Sequence, residues 1–101
     1  RDLTPGGPVL ASALHESPYR GRMVEISTNG VTFLLDAQFS EAQRVWLRLE
    51  NRTRAYAVIR SAEIIRLSRH LDAEWSITCR FDTCLAYHDV LQFGHQPAGS
   101  F

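Results

Sequence analysis

The sequence predicts an all-β domain of six antiparallel strands closed into a barrel, with a short helix near the C-terminal end. Three observations predict it. Apolar and polar residues alternate with a period of two in successive segments, the pattern of strands with one buried face. Short polar, Gly-bearing stretches separate several of those segments and read as turns. Six strands within 101 residues are best accommodated by closure, because a closed sheet exposes no unpaired edge.

The elements follow in chain order. Pro5-Gly6-Gly7 is a turn signal, and the opening strand is expected over 8–15. Tyr19–Ile26 and 31–37 form the next two strands, joined by Ser27-Thr28-Asn29-Gly30, a polar turn whose Gly can supply a positive φ. Ser40-Glu41-Ala42-Gln43 has capping-box spacing, but strand pattern resumes at once, which leaves room for one turn. In Val45-Trp46-Leu47-Arg48-Leu49 the alternation is regular and gives a fourth strand. The stretch 54–67 reads as a helix around Ala62 and Glu63 on propensity alone; its β-branched content and its place between strands favour one long strand, bent or bulged. In Trp75–Phe81, residues Trp75, Ile77, Cys79 and Phe81 share one face while Ser76, Thr78 and Arg80 take the other. The helix is expected over 83–93, capped by Thr83, with Tyr87, Val90 and Leu91 as its apolar stripe. The barrel domain thus spans 1–93, and 94–101, with Gly, Pro and Ser, reads as a flexible tail.

Composition bounds the function. The apolar fraction of 45% and charged fraction of 22% are those of a folded domain, not a disordered one. The longest apolar runs, such as Val31 to Leu35, are far too short to cross a bilayer, so no membrane insertion by this domain is expected. No secretory signal opens the chain and no initiator Met is present, which points to a piece of a longer, cytoplasmic polypeptide. Basic and acidic residues balance at a formal net charge of zero, whereas a protein that neutralises DNA or RNA phosphates carries a positive excess. All eleven basic residues are Arg. Codon bias in a GC-rich genome accounts for that, yet the guanidinium fork also suits small phosphate-bearing ligands. Cys79 and Cys84 lack Cys-x-x-Cys spacing and are too few for a disulfide framework. Asn51-Arg52-Thr53 is a chance sequon.

The segment with chemical content runs from Tyr19 to Phe33. A strand ends in Glu25-Ile26-Ser27, turns through Thr28-Asn29-Gly30, and returns as an apolar strand. Acidic residue, any, Ser, any, any, Gly resembles the Asp/Asn-x-Ser-x-x-Gly motif of the PilZ family, and the segments 45–49 and Trp75–Phe81 resemble that family's later strands. The resemblance implies a PilZ-type barrel that is not an enzyme: a bacterial second-messenger sensor that binds cyclic di-GMP and passes the signal to an attached domain or a partner protein. It further implies a ligand site containing Glu25, Ser27, Asn29 and Gly30, together with an upstream Arg-x-x-x-Arg segment. Arg1, 24 positions before Glu25, is read as the second Arg of that segment. No cofactor is implied; cyclic di-GMP is a ligand. Its chemistry suits these residues: an Arg fork bonds guanine O6 and N7 in one plane, a carboxylate and a hydroxyl address the other guanine edge, and a Gly lets backbone approach without a Cβ. Glu25 departs from the family's Asp or Asn by one methylene.

Plain structural readings stand beside these. Asn-Gly is a common hairpin dipeptide, so Ser27 to Gly30 can be an ordinary turn. Arg20 and Arg22 are readable as a solvated face. Cys79, beside Ile77 and Phe81, reads as a core thiol. Cys84 and His88 would be one helical turn apart if the helix starts at Thr83, and His15, His70, His88 and His95 show no metal-ligand spacing. Two functional classes remain open: a receptor for cyclic di-GMP, or a PilZ-type protein-interaction adaptor without nucleotide affinity. A single-stranded nucleic-acid barrel would need a basic, aromatic-lined groove, which zero net charge disfavours.

Overall fold

In a computed structural model, which describes residues 7–13, 18–37, 39–51, 54–70 and 73–93, the chain forms six strands and one short helix. They are β1 (Pro8–Ala13), β2 (Tyr19–Ile26), β3 (Gly30–Leu35), β4 (Arg44–Asn51), β5 (Tyr56–Arg69), β6 (Trp75–Phe81) and α1 (Tyr87–Leu91). The strands close into an antiparallel barrel in the order β1-β2-β3-β6-β5-β4. Closure works because β1 pairs with β2 on one side and β4 on the other, so neither neighbour keeps an open edge. The 14-residue β5 spans two partners: its first half pairs with β4, its second with β6, and Ala62 and Glu63 face both.

The interior follows the alternation. Val45, Leu47 and Leu49 of β4 point inward while Arg44, Trp46 and Arg48 stay outside. Met23, Phe33, Leu35, Ile64, Ile77 and Cys79 join them in one apolar core. A Leu side chain taken wholly from water contributes about 1.5–3 kcal/mol, and Leu47 and Leu49 are fully buried. Tyr19 meets buried Phe39 edge-on at 5.8 Å between ring centroids.

The strand boundaries of β2 and β6 match the expectation from sequence. In β3 the strand starts at Gly30, one residue earlier than expected, because Gly30 already pairs with Arg80, and it ends at Leu35, two residues earlier than expected. Ser40 to Gln43 makes the single turn expected: the Gln43 side chain accepts from the Ser40 N–H at 2.9 Å, and Gln43 N–H donates to the Ser40 carbonyl at 3.2 Å.

The helix departs most. It starts at Tyr87 with Ala86 in the N-cap position and no side-chain cap, so Thr83 does not cap it and Cys84 lies outside it. Tertiary contacts take the place of a cap. Leu85, Val90 and Phe93 enter the barrel core, the Tyr56 hydroxyl donates to Asp89 at 2.5 Å, and Asn51 Nδ2 donates to the Gln92 carbonyl at 2.6 Å. Residues 14–17 and 94–101, which hold the expected end of the first strand and the tail, lie outside the described residues.

Candidate functional site

The outer wall formed by β2, β3, β6 and the second half of β5 carries two bulges. Between Met23 and Glu25 the β2–β3 register shifts by one residue, and between Ile64 and Arg66 the β5–β6 register does the same. A bulge puts two consecutive residues on one face. Hence Met23 and Ile26 both point inward while Val24 and Glu25 both point out, and Ile64 is buried while Ile65 and Arg66 are exposed. The register then lines up one residue from each strand across the outer wall: Glu25 opposite Thr32, Thr32 opposite Thr78, Thr78 opposite Arg66.

An open cavity of about 340 Å³ lies on this wall. Thr32 and Thr78 form its polar floor, their hydroxyls 3.0 Å apart. Ile65 supplies an apolar flank, Arg80 a cation, and Glu25, Ser27, Asn29 and Gly30 the remaining side. Among the described residues no hydrogen bond or ion pair engages the exposed Glu25 carboxylate.

The turn beside the cavity is built by its serine. Ser27 Oγ accepts from the N–H groups of Asn29 and Gly30, both at 3.3 Å, and Ser27 N–H donates to the Gly30 carbonyl at 2.9 Å. A hydroxyl that satisfies backbone donors two and three residues ahead stabilises a tight turn. The turn is also tied to the segment after β6. Phe81 N–H donates to the Asn29 carbonyl at 2.8 Å, Leu85 N–H to the Thr28 carbonyl at 2.9 Å, and the Cys84 thiol to Asn29 Oδ1 at 3.2 Å.

Gly30 corrects one expectation. It does not adopt a positive φ, and its lack of a Cβ is required by the close approach of β6. A Cβ there would collide with the carbonyl oxygen of Cys79 on β6.

Charge is arranged at the β4–β5–β6 border. Arg80 pairs with Glu63 at 2.8 Å, and Arg44 pairs with Asp82. Asp82 also accepts from the Ser61 hydroxyl at 2.7 Å. The Ser61 bond, and after it Arg44, hold the Asp82 carboxyl below its usual range. Cys79 is buried in the core, as expected of a core thiol, and burial pushes its thiol up to about 12.

The sequence-predicted residues Glu25, Ser27, Asn29 and Gly30 come together on one cavity. Arg1 lies outside the described residues. Arg20 and Arg22 are exposed, with Arg22 3.8 Å from Glu74. The sequence reading missed the far half of the cavity: Thr32, Thr78, Ile65 and Arg80. The signal was present in the consecutive pair Ile64-Ile65, which breaks the alternation and places the bulge, and in the outward face of β6.

Among the described residues no group of three or more His, Cys, Asp or Glu is placed to hold a metal ion, and no helix is long and apolar enough to cross a membrane. The cavity offers hydroxyls, a free carboxylate, an apolar flank and a guanidinium paired with Glu63, a set suited to a flat, hydrogen-bonding ligand. A family model described as PilZ domain matches residues 8–86. No curated protein and no solved structure matches the chain.

Proposed function

The chain belongs to the PilZ domain family, whose members are in general non-enzymatic receptor domains for cyclic di-GMP, and we propose on that premise that its bulged outer wall binds this messenger and relays the signal to an attached domain or partner protein. The observation that carries the reading is the convergence of Glu25, Ser27, Asn29 and Gly30 on one open cavity with a hydroxyl floor. Glu25 accepts from the guanine N–H edge. Ser27 exchanges its long turn contacts, 3.3 Å or more, for a shorter bond to the base. Asn29 holds the turn through its tie to Cys84, and Gly30 holds β3 against β6.

At about 340 Å³ the cavity is at the small end of ligand pockets, which run from roughly 300 to 1,000 Å³. The ligand is therefore only half enclosed by the barrel. In this proposal Arg1 supplies a cation to the ligand, in keeping with the upstream Arg segment the family resemblance implies. The proposed setting is the bacterial cytoplasm, where no metal or cofactor takes part.

Isothermal titration of cyclic di-GMP tests the reading, with Arg1→Ala and Glu25→Ala beside the wild type. Saturable binding in the micromolar range or tighter is expected, weakened at least ~10-fold by either substitution as a charge-assisted bond is lost. No heat at ligand above about 100 μM, equivalent to less than ~5.5 kcal/mol of binding, overturns it. The adaptor reading then takes its place, favoured by the half-exposed Trp46 and Ile59 on the opposite wall.

A further inference from the structure

Two charged side chains line the cavity, Glu25 and Arg80. Arg80 is already paired with Glu63 at 2.8 Å. The three together carry one net negative charge, an unfavourable setting for a ligand with two phosphates. A guanidinium freed from its carboxylate would favour such a ligand, and the register shows that Arg80 is placed to supply it. Arg80 sits opposite Gly30 on β3 and opposite Glu63 on β5. Gly30 carries no side chain, and Arg80 lines the same cavity as the Ser27 turn and the Thr32–Thr78 floor. The Arg80 side chain is 62% exposed, and an ion pair in that setting is weak and exchanges partners readily. Glu63 would not be left alone by the exchange, because Arg44 faces it across the β4–β5 register.

We infer that Arg80 is a phosphate-binding residue of the cyclic di-GMP site, and that Glu63 limits affinity by holding its guanidinium off the ligand. The inference rests on the cyclic di-GMP reading above. Arg80 turns its fork from one carboxylate oxygen to a phosphate, where two parallel N–H···O bonds form. Glu63 acts through Arg80 alone and touches no ligand atom.

Titration of cyclic di-GMP at low and high salt, on the wild type and four variants, tests it. Arg80→Ala is expected to weaken binding ~10-fold, the loss of a charge-assisted bidentate pair, and to flatten its salt dependence. Glu63→Gln is expected to tighten binding about threefold or more by freeing the fork. The double variant should bind like Arg80→Ala, because Glu63 has no effect once Arg80 is gone. Arg48→Ala, which removes the same charge from β4 on the other wall, should change affinity less than about twofold, since an exposed charge there is screened from the ligand. Wild-type binding that Arg80→Ala leaves within a factor of two, or weakens no more than Arg48→Ala, overturns the inference while the cyclic di-GMP reading stands. Weaker binding by Glu63→Gln overturns the affinity-limiting role. If neither wild type nor Glu63→Gln binds, both readings fall together.

Discussion

The barrel has two unlike outer walls. On β1, β4 and the first half of β5 the pairing runs without a register shift, and the alternation on β4 is unbroken. Trp46 and Ile59 project from it, each about half exposed, over a hollow of about 210 Å³ also lined by Leu10 and Pro18. On β2, β3, β6 and the second half of β5, two bulges put Glu25 and Ile65 outward beside residues that are outward already. That wall has the larger hollow, with a hydroxyl floor and charged sides. Both walls stand on one core, so the core does not make the difference. Regular pairing gives a surface of single projecting side chains; a shift of parity on two strands gathers unlike side chains around one concavity. The site therefore depends on backbone irregularity as much as on the residues of the motif.

The largest expected effect is at the point where that irregular wall is tightest. Gly30→Ala places a Cβ against the Cys79 carbonyl, and neither backbone can yield without parting β3 from β6. Overpacking of this kind costs about 2–3 kcal/mol, to be read from urea unfolding midpoints at unchanged slope. Cyclic di-GMP binding should fall as well, because the Ser27 turn hangs from the same strand. Wild-type stability would mean that the bulged wall tolerates displacement, and the contrast between the walls would lose its basis.

A smaller effect is expected at the floor. Thr32→Val and Thr78→Val each leave a part-buried hydroxyl without the partner it has at 3.0 Å, a loss of about 1 kcal/mol apiece. The double variant restores a matched apolar pair, so its stability loss should be well below the sum of the two. Ligand affinity should instead fall further in the double variant, since the cavity then has no hydroxyl floor. Additive stability losses would show that the two hydroxyls are coupled to water and not to each other.

The contrast also explains what could be read from the sequence. Period-two alternation carries β4 and β6 almost residue for residue, since one face of each is buried and the other is not. The Glu25 to Gly30 motif is local in sequence, and its four residues do meet. The far side of the cavity is assembled by register: Thr78 meets Thr32 across 46 positions, and Arg80 meets Glu63 across 17. No window along the chain contains such a pairing. Ile64-Ile65 marks a bulge once it is known which strand lies beside it, and the sequence signals a bent or bulged strand without saying which face gains a residue. The helix start moved for a similar reason. Thr83 has the chemistry of a cap, but the segment 82–86 is held by Thr28 and Ser61 through backbone bonds, and those distant contacts outweigh a local preference worth about 1 kcal/mol. At Gly30 the structure shows close approach to β6, a cause the sequence does not reveal, because close approach to β6 and close approach to a ligand call for the same residue.

The smallest expected effect tests the regular wall. Trp46→Thr puts a β-branched residue, favourable in a strand, on β4 and removes a large side chain from a position that is 50% exposed. Neighbouring Ser12 and Ser61 lie directly across from it on β1 and β5, so no apolar partner on those strands loses its cross-strand contact at that level. Stability should change by no more than about 0.5 kcal/mol, as for most surface substitutions, and cyclic di-GMP affinity by less than about twofold, since Trp46 lines a different hollow. An unchanged titration would show that the regular wall takes no part in binding the ligand. A loss of binding would show that the walls are coupled through the barrel, and that β5, which runs through both, transmits between them.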